Sequence, residues 1–121
     1  MKTMPQEMIS QAAQRLQALG DESRIRIMLA LREAGEMSVS QLSEFLGMAQ
    51  PTTSKHLSVL RQAGIVTVRR EGALGFYAVH DASVFEICDL VCSGVRRRQE
   101  ELNHALGITP SRTSRRSRTG S

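Results

Sequence analysis

The sequence predicts a mainly α fold carrying one small β-hairpin. Three observations predict it. Apolar residues recur at helical spacing through most of the chain. Glycines at positions 20, 35, 47 and 64 interrupt that pattern where a helix has to stop. One stretch, residues 65–70, switches to strand character and is answered by residues 76–79 across a glycine-bearing loop at 71–75.

Each element follows in order. Residues 6–19 read as a helix: Pro5 suits its start, Met8, Ile9, Ala12, Leu16 and Leu19 keep one face, and Gly20 ends it. Asp21 is placed to cap a second helix over residues 22–34, with Ile25, Met28, Leu29 and the stem of Arg32 as its apolar stripe. After Gly35, residues 37–40 read as a linker in which Ser38 can cap a third helix, 39–46, with Leu42, Phe45 and Leu46 facing inward. Gly47 supplies a turn. Pro51 then sits in the first turn of a fourth helix, where its missing N–H is not needed. That helix runs to about residue 63, with Thr53, Leu57 and Leu60 on one face. After the hairpin, Asp81 is expected to cap a long last helix, 82–106. Its stripe is Val84, Ile87, Cys88, Val91, Cys92 and Val95, then Leu102 and Leu106. Residues 1–109 are expected to form one domain, and 110–121, rich in Ser, Thr and Arg, a disordered tail.

Composition excludes several classes. No apolar run approaches the roughly 20 residues that span a bilayer, and the first ten residues lack the layout of a secretory signal. A cytoplasmic location is expected. Two cysteines are too few for a disulfide scaffold. No phosphate-binding glycine loop and no Ser/His/Asp set suggests an enzyme. The net charge of +4 is carried by the tail, because Arg112, Arg115, Arg116 and Arg118 lie there and the remaining 12 basic residues balance 12 acids. Overall charge therefore does not argue for nucleic acid, but its distribution does. Residues 45–70 contain no Asp or Glu, yet hold Lys55, Arg61, Arg69 and Arg70. A helix end, a tight turn, a second helix and a basic strand in that order make a shape that enters DNA grooves.

The order helix, helix, helix–turn–helix, hairpin, helix is that of a winged helix–turn–helix, and three linked motifs resemble the ArsR-type bacterial repressors. Leu19, Asp21, Arg24 and Ile27 resemble that family's LxDxxRxxIL opening. Gln50, Thr52, Ser54, His56, Leu57 and Leu60 resemble its LSQSTVSRHLxxL recognition helix. Leu60, Arg61, Ala63, Gly64 and Val66 resemble its LRxAGLV exit into the wing. Thr53 departs from the usual Val and is expected to stay inward, packed by its methyl; Pro51 replaces a Ser. The resemblance implies a homodimer that binds an operator near its own promoter and is released by an inducer, with two recognition helices in major grooves about 34 Å apart.

Candidate DNA contacts follow from position. Gln50, Thr52 and Ser54 open the recognition helix, where Gln can pair with adenine and hydroxyls can serve base or backbone. Lys55 faces outward toward phosphate. His56 either touches a phosphate or caps the neighbouring turn. Of Arg69 and Arg70 on the wing, at least one is expected to reach the minor groove or backbone. Arg96, Arg97 and Arg98 point to three faces of the last helix, which fits a solvated helix, and non-specific phosphate contact stays open for them. A protein-interaction module on the same fold is the competing class; it would show apolar residues where this chain shows Gln, Thr, Ser and Lys.

Cys88 and Cys92 are one helical turn apart and share a face. The resemblance places this helix beside its symmetry mate, so two thiols from each protomer are able to converge. Thiolates take soft or borderline ions: Zn, Cd, Pb, Cu(I) or As(III). Three readings stay open: sensing of such an ion, a redox or thiol-reactive signal, or plain packing of a small apolar residue. The family's cysteine pair on the third helix is missing, since that region reads Gln41, Leu42, Ser43, Glu44. Its carboxylate–histidine zinc pattern on the last helix is largely missing too: Asp81 fits, but Ser83, Gly94 and Arg97 do not. Asp89, His80 and His104 are weak ligand candidates.

Overall fold

The computed structural model describes residues 3–108. The expected disorder of residues 110–121 lies outside them. Five helices and three short strands follow in the order α1 (Gln6–Leu19), α2 (Glu22–Ala34), β1 (Met37–Ser38), α3 (Val39–Leu46), α4 (Gln50–Gln62), β2 (Val66–Glu71), β3 (Leu74–Val79), α5 (Ser83–Leu106). They gather into two compact units, one ending at Phe85 and one beginning at Glu86.

The helix boundaries are set by local chemistry. The Asp21 carboxylate accepts from the Arg24 N–H at 3.1 Å and caps α2. Ser38 and Gln41 exchange side-chain and backbone bonds in a reciprocal capping box at the start of α3. Gly47, at φ 68, takes the left-handed turn between α3 and α4 that a side chain would strain.

In the first unit, Ile27, Met28 and Leu31 of α2 meet Leu42 of α3, Leu57 and Leu60 of α4, Ile65 and Val66 at the start of the wing, and Val84 of α5; all are almost fully buried. β1, β3 and β2 form an antiparallel sheet in that order. The hairpin is longer and its turn tighter than residues 71–75 suggest: Glu71 pairs with Leu74 across a two-residue loop whose Gly72 has φ 59.

Four expectations are corrected. Residues 37–38 are a strand rather than linker, because Met37 and Ser38 pair with Tyr77 and Phe76 on the open edge of β3. Phe45 is 66% exposed, since the inward arc of the short helix α3 is filled by Leu42 and Ser43. Leu29 is exposed and Ile25 only half-buried, because α2 turns Ile27, Met28, Ala30 and Leu31 into the core instead. In α1, only Ala18 and Leu19 are buried, while Met8, Ile9 and Leu16 face solvent.

The second unit is the body of α5. Of its apolar stripe only Cys88 is buried there, and Leu90 and Val95 are 73% and 65% exposed. Among the described residues no helix is long and apolar enough to cross a membrane.

Candidate nucleic-acid interface

The outward face of α4 carries Gln50, Thr52, Ser54 and Lys55, all exposed. Pro51, Thr52, Ser54, Lys55 and Ser58 line an open hollow of about 390 Å³. No acid lies on the helix, and Ala49 gives it no side-chain cap, so its first N–H groups are available to an acceptor. Uncapped amides, hydroxyls, an amide side chain and one ammonium are the set a phosphodiester backbone and base edges require. Gln50 is held in place by donating to the Ser40 hydroxyl at 3.0 Å.

The inner face of α4 is fastened from three directions. Thr53 is fully buried, as expected, but not by its methyl alone. Ser43 donates to the Thr53 hydroxyl at 2.9 Å, and Thr53 donates onward to the Ala49 carbonyl at 3.1 Å. A buried hydroxyl with both bonds made costs little, which is how Thr stands where an apolar residue is usual.

From α2, Arg24 donates to the Ala18 carbonyl at 2.6 Å, to the Gln17 carbonyl at 3.4 Å, and reaches Nδ1 of His56 at 3.3 Å. Arginine only donates, so Nδ1 of His56 is the acceptor in that contact. The same nitrogen is 3.9 Å from the Asp21 carboxylate. These contacts join the His56 ring to the residues that open α2. The backbone N–H of Arg24 chiefly holds the Asp21 carboxyl below its ordinary pKa, with the Arg24 charge adding to it.

From α1, Arg15 donates to the Ala63 carbonyl at the end of α4 at 3.2 Å and to the Asp81 carboxylate at 2.6 Å. Asp81 also accepts from the Ser83 N–H and hydroxyl at the start of α5, and that hydroxyl is the main cause of its lowered pKa. One guanidinium thus joins α1, the end of α4 and the start of α5.

The two wing arginines differ. Arg69 lies over the Phe76 ring and is bonded to both Glu36 and Glu71. Arg70 lies over Gly75, is exposed, and has no ion pair among the described residues. The structure therefore brings Thr52, Ser54 and Lys55 around one open hollow, sets Gln50 beside it against Ser40 of α3, turns His56 inward, and engages Arg69 with acids. Sequence reasoning gave no role to Arg15, Arg24, Ser43 or Glu36. The motif position of Arg24 was a usable signal; the other three act over long sequence separations that leave none.

Cys88 is buried and Cys92 exposed, both as thiols on α5. Among the described residues, no three His, Cys, Asp or Glu side chains converge as a metal site.

Fold and surface together define a winged helix–turn–helix regulator of transcription. The profile described as "Bacterial regulatory protein, arsR family" matches residues 21–68. The chain is 42% identical over 85 residues to the HTH-type transcriptional regulator MJ1325 of Methanocaldococcus jannaschii, described as uncharacterized; the match covers 70% of this chain and 96% of that one. It is 40% identical over 62 residues to the arsenic resistance transcriptional regulator ArsR1 of Pseudomonas putida, covering 51% of this chain and 48% of that relative, so it spans about half of it. The solution structure of the homodimeric winged helix–turn–helix DNA-binding domain of Mb0332 from Mycobacterium bovis, a possible ArsR-family regulator, is similar with a TM-score of 0.67 at 27% identity, covering 79% of this chain and 91% of that one. The chain belongs to the arsR family: it is a DNA-binding transcriptional regulator and not an enzyme.

Proposed function

We propose that the chain is a cytoplasmic, homodimeric repressor that binds an operator in its own upstream DNA and leaves it when a soft metal, a metalloid or a thiol-reactive signal reaches Cys88 and Cys92. The observation that carries the DNA reading is the acid-free outer face of α4, held from behind by three sets of hydrogen bonds. Gln50, Thr52 and Ser54 meet base edges and phosphates, and Lys55 neutralises a phosphate. Arg70 serves the wing contact. Residues 1–109 supply both DNA binding and dimerisation.

Dimerisation is supported by apolar residues left exposed on α1, Met8 and Leu16, and on α5, Leu90, Val91, Val95 and Leu106. Exposed apolar residues in such number mark surface that another protein covers, and the similar Mb0332 domain is homodimeric.

The sensing reading rests on two thiols one turn apart on α5, one of them open to solvent, and on a relative named for arsenic resistance. Two thiols make half of a tetrahedral sulfur site, and a second copy supplies the other half. The Arg15 clamp gives such a signal a route, since it ties the start of α5 to the end of α4. The burial of Cys88 favours a second reading, in which the cysteines only pack and the regulator answers another signal or none.

Operator binding followed by fluorescence anisotropy separates them. Lys55→Ala is expected to weaken all sequences alike and lower the salt slope by about one. Arsenite, Cd or another soft ion is expected to release wild-type protein, and replacing Cys88 and Cys92 with Ser to abolish release while leaving binding intact. Binding indifferent to every ion and to a persulfide donor would assign the cysteines to packing.

A further inference from the structure

Arg69 spans the whole wing sheet. It starts on β2, at the position paired with Phe76 of β3, and Phe76 is in turn paired with Ser38 of β1. Its guanidinium crosses the Phe76 ring, 4.9 Å from the centroid. It ends on the Glu36 carboxylate, just before β1, with contacts of 2.6 and 3.3 Å. Glu71, two residues along β2, closes the arrangement at 2.6 Å. The two-oxygen engagement of Glu36 is the geometry that distinguishes arginine from lysine. Arg69 in turn keeps the Glu36 carboxyl below the ordinary range.

The base of the wing is rooted in the core through Ile65 and Val66, so the strap acts farther out along the sheet, at its β1 edge. β1 contributes only two residue pairs to the sheet. Ser38, the second of its residues, is also the cap of α3. A restraint from β2 to Glu36 therefore fixes the wing against the start of the helix–turn–helix. Alternate residues of a strand face opposite sides, so holding Arg69 on one face presents Arg70 on the other, over Gly75.

We infer that Arg69 is a positioning residue, strapped to Glu36 to fix the wing, and that Arg70 alone is the wing arginine that meets the phosphate backbone. This goes beyond the assignment of the wing to DNA and does not depend on the cysteine reading.

Removing a carboxylate near DNA ordinarily strengthens binding by reducing charge repulsion. Glu36→Gln is expected instead to weaken operator binding about three- to fivefold, the range of a well-made exposed ion pair. Anisotropy titrations of the full chain on its upstream DNA, repeated over a range of salt, give the second readout. Arg69→Gln is expected to weaken binding with an unchanged salt slope. Arg70→Gln is expected to lower the slope by about one. Circular dichroism and melting of each variant confirm that the comparison is between folded proteins. Unchanged or tighter binding by Glu36→Gln overturns the proposal, showing that Glu36 is idle or masks Arg69. Any slope pattern other than loss with Arg70→Gln alone overturns it as well.

Discussion

The recognition helix and the last helix are built in opposite ways. α4 is anchored by partners from its own chain: Ser43 through Thr53, Arg24 through His56, and Arg15 through Ala63. Its exposed face is polar. α5 keeps Val84 and Cys88 buried but leaves Leu90, Val91, Val95 and Leu106 in solvent. One chain thus completes its own reading head but leaves apolar residues of α1 and α5 uncovered. Those call for a second copy, and reading two half-sites at once calls for the same.

The largest expected effect attacks α5. Val91→Glu places a charge in the exposed apolar stripe. Sedimentation is expected to show monomers, and operator affinity to fall by about two orders of magnitude or more as bivalent binding is lost. The circular dichroism of the first unit is expected to persist. Unfolding of the monomer would show instead that the reading head needs the dimer to fold.

The next attacks the anchoring of α4. Arg24→Ala removes charge-assisted bonds to Ala18 and Gln17 and the contact with His56. A loss of about 2 kcal/mol in urea unfolding is expected. A smaller effect sharpens the same point. Thr53→Val leaves the buried Ser43 hydroxyl without its acceptor and is expected to cost about 1 kcal/mol. Adding Ser43→Ala to that variant is expected to recover much of the loss, since neither polar partner then remains.

The smallest concerns acid. The folded-state pKa of Asp21 is lowered from 3.8, first by the Arg24 N–H. A depressed carboxyl contributes stability that is full above the unfolded pKa and is lost as pH falls through the folded one. Melting temperature is therefore expected to drop below about pH 4. Asn caps a helix as well as Asp, so Asp21→Asn is expected to flatten part of that drop without much change at neutral pH.

The same contrast explains what was legible in the sequence. Helix limits were, because Asp21, Ser38 and Gly47 act on backbone within a few residues of themselves. The exposed face of α4 was also legible, because helical spacing separates Thr53, Leu57 and Leu60 from their outward neighbours. β1 was not, since two residues carry no period and their partner lies some forty positions away in β3. Phe45 misled because hydrophobicity ranks what is worth burying, whereas an eight-residue helix has only a narrow inward arc. The stretch without acids misled in a subtler way. Residues 45–70 contain none, yet Glu36 and Glu71 close on Arg69 from just outside it. Charge counted along a chain is not charge counted in space.

The two reading heads of a dimer are expected to act together on one face of DNA. The direct measurement is anisotropy on the inverted repeat protected in the upstream DNA of its own gene, compared with the same repeat after inserting about five base pairs between its halves, half a helical turn. A dimer with fixed heads is expected to fall to the affinity it has for unrelated DNA. Equal affinity for both duplexes would contradict the account, since each head would then be binding alone.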